Sequence, residues 1–136
     1  MNTMDSIRSD ANRCFVCGPG NASGLQLKFR LQDDECVSTF TPGELHCGYD
    51  GITHGGIIFS VLDDVMANWL YLRGMKAVTA KCDIRFKSSL PTGESVSVRS
   101  WCTRQRGPLA MLSAEMRIIS TNMLISECDA SFMIQK

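Results

Sequence analysis

No apolar run in this chain approaches the roughly 20 residues that a helix needs to cross a bilayer, so a helical membrane span is not expected. The opening stretch MNTMDSIRSDANR is polar and lacks the apolar core of a signal peptide. Cysteine is plentiful but odd in number, seven in all, which suits free thiols better than a disulfide framework. A cytoplasmic protein with reduced cysteines is therefore the expectation. Net charge is missing as well: 14 basic residues balance 14 acidic ones, so neither a nucleic-acid surface nor a polybasic membrane anchor follows from the total. Repeats, linkers and low-complexity segments are absent. A chain of 136 residues is long enough for one core and short for two, so a single domain over residues 1–136 is expected. A metal is not expected either. Cys14 and Cys17 form one C-x-x-C pair, but a tetrahedral zinc site needs two further ligands at comparable spacing. Cys47 beside His46 is the only other pair on offer, and a tight turn at CGPGNASG accounts better for this segment.

What the chain does have is alternation. In LQLKFRL, Leu25, Leu27, Phe29 and Leu31 alternate with Gln26, Lys28 and Arg30, the period of two that a half-buried strand requires. ECVSTF can pair with it across Gln32-Asp33-Asp34. The pattern returns four times: from Ala80 through Phe86, from Val96 through Cys102, from Ala110 through Ile118, and from Leu124 through Ile134. Pro91-Thr92-Gly93, Arg106-Gly107-Pro108 and Thr121-Asn122 supply turns between them. Six antiparallel strands, four of them in or near a meander, present one apolar face that needs cover.

One segment can provide it. From Ile57 the apolar residues fall at 57, 58, 61, 62, 65, 66, 69 and 70, helical spacing over some 18 to 20 residues that ends near Arg73-Gly74. Thr53 is the candidate N-cap. At about 100° per residue Asp63 falls near 240° and Asp64 near 340°, both outside the main stripe centred near 70°. Asp63 shares its side with Gly56, Phe59, Ser60, Ala67 and Leu70, a semi-apolar face made for contact. A carboxylate buried there has a raised pKa and can serve as base or nucleophile; the alternative is a structural pair with a cation such as Arg85. Asp64 reads as a solvated or hydrogen-bonded structural acid. Gly55 and Gly56 open the helix, where backbone N–H groups lack intrahelical partners and can donate to a carbonyl oxygen gaining negative charge; the alternative is that they relieve crowding against a neighbouring strand. Gly55 and Asp63 are separated by about 12 Å along one helix, too far to meet at one carbon. Two copies related by a two-fold axis would bring Asp63 of one to Gly55 of the other. Basic residues gather between 73 and 106, a local excess that would suit a small anionic ligand.

The segments CFVCGPGNASGLQLKF, CGYDGIT, HGGIIFSVLDD and RFKSSLPTGE together resemble the hotdog-fold acyl-CoA thioesterases, in the branch of the phenylacetate-degradation and 4-hydroxybenzoyl-CoA enzymes. The likeness runs from Cys14 onward; its most specific part is His-Gly-Gly followed by an acid nine residues after the histidine, here His54 and Asp63. The resemblance implies an α+β hotdog fold, one long central helix wrapped by a six-stranded antiparallel sheet, in a homodimer that in many members pairs into a tetramer. It implies hydrolysis of a small or medium acyl-CoA to free acid and coenzyme A, with coenzyme A as part of the substrate and no cofactor. Gly55 N–H would polarise the thioester carbonyl, the partner's Asp63 would attack it or activate water, and His54 would help position or polarise it, the alternative being a capping or turn histidine. Gly56, Phe59 and Ser60 are candidate substrate contacts, as are Met66 and Leu70 for the acyl group. Arg85, Lys87, Arg104 and Arg106 are candidates for the nucleotide phosphates. Gly48 stands six residues before the histidine, where many relatives carry asparagine. Two other readings fit a hotdog chain: a dehydratase or hydratase of acyl thioesters, and a non-catalytic acyl-CoA-binding module.

Overall fold

The structure is a computed structural model that describes residues 10–136. The strands follow in the order β1 (Arg30–Gln32), β2 (Glu35–Phe40), β3 (Ala77–Phe86), β4 (Val96–Arg106), β5 (Leu109–Ile118) and β6 (Leu124–Ile134), with the helix α1 (Gly55–Tyr71) between β2 and β3. They form one antiparallel sheet ordered β1-β2-β4-β5-β6-β3. Of the four strands expected in or near a meander, the last three form one. β3, which precedes them in the chain, crosses to the far edge beside β6, with no strand on its outer side among the described residues.

The alternation predicts which sheet face is covered. Ala110, Leu112, Ala114, Met116 and Ile118 of β5 are all buried, as are Val96, Val98 and Ser100 of β4. Against them pack Ile58, Val61, Leu62, Val65, Met66 and Leu70 of α1. At about 25 cal/mol per Å² of apolar area removed from water, this seam is the main source of stability. Ser100 adds a polar tie, its Oγ donating to the Val65 carbonyl at 2.6 Å. The helix ends as glycine predicts: Gly74 sits at φ +84° and the Met75 N–H reaches back to the Leu70 carbonyl at 2.9 Å.

Two expectations are corrected. The strand expected over Leu25–Leu31 shrinks to Arg30–Gln32, because Gln26 takes a left-handed φ of 54° and Leu25 and Leu27 spend their N–H groups on the Phe15 and Val16 carbonyls instead. Ala80, expected on the apolar inner side of β3, is exposed, whereas Phe86 keeps that side against Gly55 while remaining largely exposed. A register shift between Thr79 and Lys81 breaks the simple period of two, and only Cys82 and Ile84 remain half-buried along that side.

Candidate active site

The loop entering α1 is tied down on both flanks. Thr53 N–H donates to the Leu90 carbonyl at 2.8 Å and His54 N–H to that of His46 at 2.8 Å. Thr53 is buried and is not the cap. The N-cap is His54, whose Nδ1 accepts from the Gly56 N–H at 2.8 Å. With Nδ1 accepting, the ring proton of neutral His54 lies on Nε2, and the exposed ring can offer it to a ligand. This back-folded imidazole explains Gly56: a Cβ there would lie 3.0 Å from His54 Cε1 and Nδ1. The Gly55 N–H has no acceptor among the described residues, so it stays available at the positive end of the helix dipole. Gly48 lies beside the same histidine, a Cβ at that position falling 3.6 Å from His54 Cα.

Asp63 is half-buried, one face of its carboxylate accepting from Thr79 Oγ1 at 2.7 Å. Burial pushes its pKa up, and the Thr79 hydrogen bond partly opposes this by favouring the charged form. The structural pair with Arg85 is not formed. Arg85 and Lys87 instead face Glu127, at 3.9 and 3.8 Å. Asp64 is the hydrogen-bonded structural acid that was expected, accepting from Asn68 Nδ2 at 3.0 Å.

Several candidates do not join the site within the chain. Met66 and Leu70 are fully buried in the core, because the apolar stripe is wide enough to take them against the sheet; of the three acyl-pocket candidates only Phe59 keeps partial exposure. Ser60 spends its hydroxyl on the Gly56 carbonyl at 2.8 Å. The four cations do not form one group. Arg85 and Lys87 flank the end of β3, whereas Arg104 and Arg106 border a small depression with Leu109 and Met111 at the opposite end of the strands, since Arg106 pairs with Leu109, Leu109 with Met133, and Met133 with Val78.

Two residues that pattern reasoning missed lie against the acid and the amide. Thr79 holds Asp63 near the start of β3, and Phe86, at the end of β3, packs over Gly55, with its Cε1 3.5 Å from where a Gly55 Cβ would be. Neither carries a local signal: Thr79 lies outside the alternating run and Phe86 was assigned to its inner side. Within one chain the acid and the free amide therefore sit toward opposite ends of the same edge strand.

A long helix wrapped by a six-stranded antiparallel sheet, with His-Gly-Gly at the helix start and a half-buried acid on its flank, is the hotdog fold. A family model of the thioesterase superfamily matches residues 50–123, and the chain belongs to that superfamily. Among curated relatives it is 32% identical over 98 residues to acyl-coenzyme A thioesterase THEM4 of Xenopus laevis, covering 71% of this chain and 44% of that protein. It is 31% identical over 65 residues to acyl-coenzyme A thioesterase THEM5 of Mus musculus, covering 48% and 26%. The chain thus spans less than half the length of these two relatives. Among solved structures, zebra fish thioesterase superfamily member 2 superposes with a TM-score of 0.76 at 16% identity, over 93% of this chain and 94% of that one. A hypothetical thioesterase protein with coenzyme A from Streptococcus pneumoniae TIGR4 gives 0.75 at 14%, over 80% and 88%. The E. coli PaaI protein from the phenylacetic acid degradation operon gives 0.74 at 19%, over 80% and 83%. No helix among the described residues is long and apolar enough to cross a membrane.

Proposed function

We propose that this protein hydrolyses a small or medium acyl-CoA to the free acid and coenzyme A, at composite sites shared between two copies of the chain. The observation that carries the reading is the placement of Thr79–Asp63 and Phe86–Gly55 toward the two ends of β3, a strand whose outer edge is unpaired in the sheet. Antiparallel pairing of β3 with its two-fold copy, centred near Cys82 and Asp83, aligns the start of one strand with the end of the other. Asp63 of one chain then faces Gly55 of its twin. Val78 and Phe86, 52% and 54% exposed in the single chain, become covered, as an apolar edge strand requires.

In such a site Gly55 N–H, with His54 Nε2–H beside it, donates to the thioester oxygen as it becomes negative. The Asp63 carboxylate either attacks the carbonyl carbon, forming an acyl anhydride that water then cleaves to restore the carboxylate, or takes a proton from a water that attacks the carbon directly. The carbon–sulfur bond breaks, coenzyme A leaves as a thiolate that takes up a proton, and the acyl group departs with the oxygen of water. No cofactor enters this scheme. Phe59, Gly56 and Phe86 border the helix start and are assigned to the acyl portion; Arg85 and Lys87 are assigned to the nucleotide phosphates. The acyl-coenzyme A thioesterase names of the curated relatives support the substrate class, and seven cysteines outside any disulfide support a reducing, cytoplasmic location.

The test is thiol release over a panel of acyl-CoAs by wild type and Asp63→Asn. Wild type should turn over at least one short or medium acyl-CoA and Asp63→Asn none of them, with the dimer intact in both. Undiminished activity in a clean Asp63→Asn preparation would reject the role given to this acid.

A further inference from the structure

Asp64 stands one residue from the proposed catalytic acid but looks another way, toward the C-x-x-C turn. One ligand atom each from Cys14, Cys17 and Asp64 lies within 4.8 Å of the other two. Cys14 Sγ is 3.7 and 3.8 Å from the two carboxylate oxygens. A tetrahedral zinc with Zn–S of about 2.3 Å and Zn–O of about 2.0 Å sets its S···O edges at roughly 3.5 Å and its S···S edge at roughly 3.8 Å, so the Cys14–Asp64 edge is close to that geometry and the other two, bounded by 4.8 Å, close by no more than about 1 Å.

The surroundings are organised in the same sense. Cys17 N–H points at Cys14 Sγ from 3.5 Å, fixing the position of that sulfur within the turn. Gly18 closes the turn where a Cβ would lie 2.3 Å from Cys14 N and 2.6 Å from Cys14 O, both backbone atoms that cannot give way. Asn68, 3% exposed, donates through Nδ2 to Asp64 Oδ2 at 3.0 Å and to the Asp64 carbonyl at 2.9 Å, and it reaches Cys17 Sγ at 3.6 Å. It therefore orients two of the three donors, as residues behind metal ligands do. Spacing in the sequence could not reveal this set. The ligand that completes the cysteine pair comes from mid-helix, not from His46 and Cys47.

We propose that Cys14, Cys17 and Asp64 bind a thiophilic divalent cation, zinc by the chemistry of the donors, with the fourth tetrahedral position taken by water entering past the half-buried Cys14. Binding sends the two thiol protons to solvent and ties the N-terminal turn to the middle of α1. The metal-free alternative is a hydrogen-bonded network of thiols and carboxylate.

The two are separated by titrating the full chain, reduced and stripped with chelator, with Co²⁺ under anaerobic conditions. The expected result is a thiolate-to-cobalt charge-transfer band that saturates at about one ion per chain and is displaced by zinc. Cys14→Ser/Cys17→Ser should abolish the band, and Asp64→Asn should weaken binding roughly tenfold or more. Cys82 and Cys128 form the other close pair of thiols, and Cys82→Ser/Cys128→Ser should leave the titration unchanged. The proposal is overturned if wild type gives no such band, a result independent of how the variants fold. It is equally overturned if the band survives Cys14→Ser/Cys17→Ser or vanishes with Cys82→Ser/Cys128→Ser.

Discussion

Burial pushes the Asp63 carboxyl up while the Thr79 hydroxyl pulls it back, and both effects are measurable. Because the folded-state pKa lies above the unfolded value of 3.8, the folded chain binds more protons between those two values, and stability falls as pH rises through that window. At neutral pH the fold bears the full cost of the charge. Asp63→Asn should therefore melt higher than wild type at neutral pH, an advantage that fades as pH drops below the unfolded value, while thiol release falls by about 10²- to 10⁴-fold. In wild type kcat/KM should decline on acidification through a raised carboxylate pKa. Thr79→Val, which removes the bond that favours the charged form, should move that limb to higher pH. An unmoved limb would separate Asp63 from the pH dependence. The two glycines differ in a way that substitution reads directly. Gly56→Ala drives a Cβ against the capping ring of His54 and should lower stability by about 1 kcal/mol, the usual worth of an N-cap. Gly55→Ala meets only ordinary contact with Phe86 at 3.5 Å, so it should fold as well as wild type yet lose kcat/KM by crowding the donor amide.

At the scale of the elements, sequence pattern located the helix and the meander well and the edges poorly. α1 is read correctly because its apolar positions recur at helical spacing and meet one continuous sheet face, and β5 because its five inward residues are all buried. The edges follow other rules. β1 is cut short when its neighbours in the chain pair with the Phe15–Val16 turn, and β3 carries a register shift that no alternation predicts. The same limit explains Met66 and Leu70: a helical projection gives a residue's direction but not how far the sheet wraps around it. Met66→Ala should consequently behave as a core truncation, losing about 2–5 kcal/mol in denaturant unfolding, with the order of preference among acyl-CoAs kept. A changed acyl preference at unchanged stability would return Met66 to the pocket.

For the whole molecule, the candidate site was legible as two halves and not as a place. Under the proposed chemistry the spacing of Gly55 and Asp63 asks for a second copy, and β3 carries the two groups toward opposite ends of an edge with no further strand among the described residues. A depression lined by Lys81, Thr103, Met111, Ser113 and Asp129 includes no residue of α1. Sequence could not have paired Thr79 with Asp63 or Phe86 with Gly55, because these contacts are made between elements and leave no periodic trace.

Shared sites are tested most directly by mixing two inactive proteins. Asp63→Asn and Gly55→Val, each inactive alone, are unfolded together, refolded as a mixture and assayed for thiol release. A mixed dimer keeps one site with both groups native, so a statistical mixture should recover about a quarter of wild-type activity. If the mixture stays as inactive as its parents while mixed dimers are shown to form, acid and amide act within one chain or not at all, and the account fails.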